Sequence, residues 1–118
     1  MFLTLRGHVP GKKNAWTRSA KGGMHLPAGV KAEIDGLILQ AKSQRPERPI
    51  NIATVSATFF VSNFKSDLDG KLTTLLDVLV KASVLRNDSM AHVQALKAYM
   101  VLNVPFGDKT DIEVRDIE

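Results

Sequence analysis

The 118-residue chain contains no cysteine. That excludes a disulfide framework, a zinc–thiolate site and a cysteine nucleophile, and it suits a reducing compartment. No apolar run approaches the length of a membrane span. Met1 to Leu5 is too short, and too soon interrupted by Arg6, to act as a signal peptide or a membrane helix. The expectation is a cytoplasmic protein with no membrane association. No internal repeat and no linker is visible, which implies one domain over residues 1–118. The three histidines (His8, His25 and His92) lack metal-ligand spacing, so each reads as a surface or hydrogen-bonded residue. Acidic residues are missing altogether from Met1 to Leu26, where Arg6, Lys12, Lys13, Arg18 and Lys21 lie.

Apolar residues make up 44% and charged residues 24% of the chain, an ordinary balance for a folded domain that buries about two-thirds of its surface. The net charge of +4 is unevenly placed. Residues 1–48 carry nine basic groups against three acidic ones, and residues 49–118 carry seven against nine. A basic amino-terminal part is the electrostatic footprint of a protein that neutralises phosphates, although a solvated basic loop has the same composition.

Residues 1–8 alternate loosely and predict an opening strand. Val9 to Gly23, rich in Pro, Gly, Lys, Ser and Asn, predicts a long loop, and loops of that length tend to be functional. A short strand or turn at Met24 to Leu26 leads to a helix with Val30, Ile34, Leu37, Ile38 and Ala41 on one face and Pro27 near its start. Ile50 to Ser62 is the clearest strand, with Ala53, Val55, Ala57, Phe59 and Val61 on one side and mainly Thr and Ser on the other. A second helix is predicted from about Asp69 to Ala82, with a stripe of Leu68, Leu72, Leu75, Leu76, Leu79 and Val80. Strands at His92–Leu102 and Asp111–Ile117 complete an α+β domain, a mixed sheet carrying two helices.

The chemistry-bearing stretch is Ser66-Asp67-Leu68-Asp69-Gly70-Lys71, followed by Asp77 and Asp88. Residues two apart share a side in an extended chain but not on a helix, so Asp67 and Asp69 converge only at the strand-to-helix joint, with Asp69 near the N-cap. Two carboxylates there form a hard-oxygen site of the kind Mg²⁺ prefers. Asp88, in the connector after the helix, is the natural third ligand if the helix returns the chain toward the sheet. The other reading is structural: Ser66-x-x-Asp69 is similar to a capping box, and acids in a first helical turn are common.

Three spaced motifs resemble the RusA family of Holliday junction resolvases: Asp67-Leu68-Asp69, then Asp77-Val78-Leu79, then Asn87-Asp88. Pro10-Gly11-Lys12-Lys13-Asn14 is similar to the family's amino-terminal segment, and the element order agrees over most of the chain. The resemblance implies a homodimeric, Mg²⁺-dependent endodeoxyribonuclease, with Mn²⁺ able to substitute, that resolves four-way DNA junctions by paired symmetric nicks. It assigns Asp67, Asp69 and Asp88 as metal ligands and catalytic residues, and Lys97, near a family lysine, as a further catalytic residue that touches the phosphate or stabilises charge there, unless it is a solvated strand lysine. The chain departs from the family pattern at Gly70, at Thr73, where the family has a lysine, and at Asn87. Lys71 cannot simply replace that lysine, because it lies on another helix face.

Lys12, Lys13, Asn14, Trp16, Arg18, Lys21 and Lys71 are the candidate DNA contacts. Trp16 is suited to stacking on an unpaired base or to anchoring the loop on the core. Asp77 and Thr73 are expected to support the site from behind, Asp77 also as an ion-pair partner of Lys81. Phe60, opposite in facing to Phe59, is a candidate dimer contact. The alternatives are a RusA-like DNA-binding module without catalysis, with Gly70 and Thr73 as signs of decay, and an α+β domain whose acids cap a helix.

Overall fold

Strict alternation makes the central strand. In the computed structural model, which describes residues 1–11, 17–18, 24–25, 28–65, 67–102 and 107–118, β4 spans Ala53–Val61 and buries every second side chain. Ala53, Val55, Ala57, Phe59 and Val61 are all at most 3% exposed. The other elements are β1 (Phe2–Arg6), β2 (Thr17–Arg18), β3 (Met24–His25), α1 (Ala28–Ser43), α2 (Leu68–Lys81), β5 (Val93–Leu102) and β6 (Lys109–Asp116). The predicted α+β class holds, with one addition: part of the expected long loop is strand, β2 pairing with β3 as a separate two-stranded ribbon. Pro27, expected at the start of α1, lies outside the described residues.

The main sheet has the order β1-β6-β4-β5. β6 runs antiparallel to both β1 and β4, while β4 and β5 are parallel. A parallel pair needs a crossover, and α2 supplies it. α1 packs on β1 and on α2, and α2 reaches β5. Leu3, Leu5, Phe59, Ile112 and Val114 of the sheet form one apolar core with Ile34, Leu37, Leu75, Val78 and Leu79 of the helices.

Two peripheral features set the boundaries of the sheet. Gln40 and Gln44 of α1 treat β1 as a neighbouring strand would. The Gln40 amide accepts from Arg6 N at 2.7 Å and donates to Arg6 O at 2.8 Å, and Gln44 does the same at Thr4, at 3.0 and 2.9 Å. The outer edge of β1 is thereby satisfied at Thr4 and Arg6. At the other end of the fold, α2 stops in a left-handed turn: Ser83 has φ 63°, while Val84 N reaches back to Leu79 O at 2.9 Å. Such stops favour glycine, so a serine here holds its conformation against a steric cost.

Candidate active site

The strand directions gather several loops at one end of the sheet. β1 and β4 finish there, β6 begins there, and α2 starts just beyond β4. Asp67 is the N-cap of α2, in extended conformation (φ −72°, ψ 136°), with no capping hydrogen bond from its side chain. Asp69 already lies in the first helical turn. Only Asp67 lies in the extended joint, so the condition on which convergence of the two acids depends is not met. Both acids are exposed and both sit where the helix dipole favours negative charge. Ser66, needed for the capping-box reading, is outside the described residues.

Asp88 is elsewhere. α2 carries the chain through 14 residues, about 21 Å at the usual rise, to the opposite end of the sheet, where Leu85 bridges Ile50 and β5 begins beside Ala53. Asp88 lies in this connector, exposed. A crossover helix returns the chain to the end where the first strand started, so within one chain it carries Asp88 away from the acid pair and not back to it. Among the described residues, no three His, Asp or Glu side chains lie together as a metal-binding group. Asp67 and Asp69 offer the right donor atoms for a hard cation, but a single chain does not bring the third carboxylate to them.

The supporting residues divide. Asp77 pairs with Lys81 at 3.3 Å, the expected i, i+4 contact. Thr73 turns its hydroxyl onto the carbonyl of Asp69, at 2.9 Å, and remains exposed. Lys97 stands in mid-β5 opposite Ser56, at a shallow cavity with Glu113 and Arg115, away from either acid-bearing end. Phe60 is half-buried under the Lys109 ammonium, which lies 4.9 Å from its ring centre. Lys12, Lys13, Asn14, Trp16 and Lys21 lie outside the described residues, and of Arg18 only the strand position is described.

Lys71 is the clearest correction. Expected on the DNA, it is 1% exposed, and its Nζ donates to Val9 O at 2.8 Å. Burial lowers its pKa below the ordinary 10.5, against the pull of the Asp108 and Glu33 carboxylates. Beside it, His8 Nδ1 lies 3.1 Å from Asp108 Oδ2, and Asp108 Oδ1 accepts from Ser62 N at 2.9 Å. Burial opposes ionisation of Asp108, but the bonds from His8 and Ser62 outweigh it and hold its carboxyl below the usual range. His8, Ser62, Asn63, Lys71 and Asp108 border a cavity of about 400 Å³. Sequence reasoning treats His8 only as a bonded or surface histidine and does not single out Asp108. The two are 100 positions apart and meet only because β1 pairs with β6.

His92, at the opposite sheet end, has its Nδ1 2.7 Å from Asn51 O and reads as a hydrogen-bonded structural histidine. No helix among the described residues is long and apolar enough to cross a membrane. Comparison with protein-family models gives no match, and comparison with curated proteins gives none.

Proposed function

We propose that the chain is a Mg²⁺-dependent endodeoxyribonuclease that resolves four-way DNA junctions as a homodimer, in recombination or repair. The observation that carries this reading is the position of the acid pair. Asp67 and Asp69 are exposed at the start of the crossover helix, beyond the carboxyl end of β4, where parallel β–α–β units form their ligand sites. The motif spacing shared with the RusA family and the acid-free basic segment from Met1 to Leu26 support it. A bound Mg²⁺ supplies an acidified water and neutralises charge on the phosphate.

The remote Asp88 gives the homodimer a specific task. β5 is the sheet's other edge strand, and Leu96, Tyr99 and Leu102 on it are 40%, 55% and 55% exposed. Antiparallel pairing of β5 with β5 of a second copy sets the start of one strand beside the end of the other. Asp88 of one copy is thereby carried toward the Asp67 and Asp69 of its mate, twice by symmetry. In this reading a monomer has no complete site.

A second reading is favoured by the separation of Asp88 itself: a DNA-binding module that keeps the fold and does no chemistry. One experiment distinguishes them. Wild type, Asp69→Asn, Asp88→Asn and an equimolar, refolded mixture of the two variants are assayed on a synthetic four-way junction with Mg²⁺, alongside Mn²⁺ binding. Wild type nicks in symmetric pairs, each variant alone is silent, and the mixture regains single nicks and part of the Mn²⁺ binding, because each mixed dimer holds one intact shared site. Tight binding of the junction by wild type without any nick selects the binding module.

A further inference from the structure

Three groups that the acid pair does not explain meet at the same sheet end. His8 follows β1, Asp108 precedes β6, and Lys71 lies in α2. Two neighbours contact His8 Nδ1: Asp108 Oδ2 at 3.1 Å and Lys71 Nζ at 3.4 Å. They make opposite demands, because the carboxylate needs a proton on Nδ1 and the ammonium needs a lone pair. The carboxylate is closer, accepts only, and is fixed from behind by Ser62 N. The Lys71 ammonium has a better acceptor in Val9 O at 2.8 Å. Nδ1 therefore carries the proton and donates to Asp108, and Nε2 is the nitrogen left to exchange a proton with a reactant. A carboxylate behind an imidazole fixes both tautomer and orientation in this way at many reactive histidines. The geometry is graded from inside outward: the Asp108 side chain is 16% exposed and that of His8 is 41% exposed, at the rim of the cavity.

We propose that His8 is the proton-transferring residue of the phosphodiester hydrolysis, with Asp108 as its positioning residue. This rests on the nuclease reading above. Nε2 takes a proton from the attacking water as the water oxygen bonds to phosphorus. The bond from phosphorus to the leaving oxygen breaks with its electron pair, that oxygen takes up a proton from solvent, and the imidazolium returns its own to solvent. The charges facing the ring are Asp108 from the start of β6 and Lys71 from α2, with Glu33 of α1 acting on Lys71.

The test uses the full-length protein with Mg²⁺ and a four-way junction. His8→Asn keeps a donor toward Asp108 but has no proton acceptor. It is expected to lower the cleavage rate by about 10²-fold or more, to flatten the acidic limb of the pH–rate profile, and to leave junction affinity and Tm unchanged. His8→Ala regains rate with added imidazole, in proportion to its neutral fraction, which a purely structural histidine does not permit. Nitrogen NMR of the free protein shows the Nδ1-protonated tautomer, and Asp108→Asn redistributes it. Wild-type rate and pH profile in His8→Asn, or an Nε2-protonated ring in wild type, overturns the proposal while the nuclease reading stands. Absence of cleavage by wild type with every divalent ion tried overturns both.

Discussion

The sheet has two edge strands, and they are treated differently. β1 is sealed: the Gln40 and Gln44 amides of α1 bond the backbone of Arg6 and Thr4, four hydrogen bonds in place of a fifth strand. β5 has no such cover among the described residues and presents Leu96, Tyr99, Val101 and Leu102 at 40–55% exposure. Open, apolar edges are liabilities that proteins normally blunt with charge, proline or a covering element. The fold has a working device for closing an edge and, among the described residues, uses it on one side only. That contrast is the ground for placing the proposed dimer contact on β5, where pairing would also bring the three proposed metal ligands together.

The contrast breaks most visibly on β5. Leu96→Lys combined with Tyr99→Lys should convert a dimer to a monomer in light scattering and abolish junction cleavage, with the subunit's Tm little changed. A dimer that survives both lysines places the interface elsewhere. On β1, Gln40→Ala with Gln44→Ala should cost roughly 2–6 kcal/mol in urea denaturation, from four bonds worth about 0.5–1.5 kcal/mol each, and should leave the proposed dimer intact. Unchanged stability would show that the glutamines do not seal the edge.

A pH series sharpens the comparison, because the Asp108 contacts tie the end of β1 to the start of β6 and have no counterpart on β5 among the described residues. Asp108 is held below its ordinary 3.8, so its stabilisation is complete above that value and is lost as pH falls through the folded pKa. Asp108→Asn should remove this component of acid sensitivity. Lys71 acts with the same sign in a higher window: its pKa is depressed from 10.5, the unfolded chain binds the extra proton in between, and stability from this group rises with pH up to that value. Lys71→Met should flatten the rise. The smallest effect belongs to the turn that delivers the chain to β5. Ser83→Gly relieves a left-handed φ of 63° and should add about 0.5 kcal/mol, read as a small shift in the denaturation midpoint.

Much of the fold was legible because periodicity reports burial directly. β4 alternates as written, and α1 buries Ile34, Leu37 and Ala41 of its predicted stripe. α2 was legible as a helix and its stripe faces the core, with Leu75 and Leu79 buried and Leu68, Leu72, Leu76 and Val80 partly buried against it, but the centre of the buried face lies to one side of that stripe. The leucines predict a stripe including Leu68, Leu72 and Leu76, whereas the buried face is Gly70, Lys71, Thr74, Leu75, Val78 and Leu79. Hydropathy could not foresee a buried lysine, since what makes it tolerable is a carbonyl 62 residues away. The ion pair of Asp77 with Lys81 was legible for the converse reason: its partners are one helical turn apart.

By itself the sequence determined the α+β class, the central strand, both helices and the two acids at the start of α2, because each depends on neighbours within a few residues. Only the tertiary structure decided that Asp88 stands at the far end of the crossover, that Lys71 is inside, that His8 meets Asp108, and that the glutamines of α1 close the β1 edge. Those outcomes depend on strand direction and order, which join residues 40 to 107 positions apart and leave no local periodicity to read.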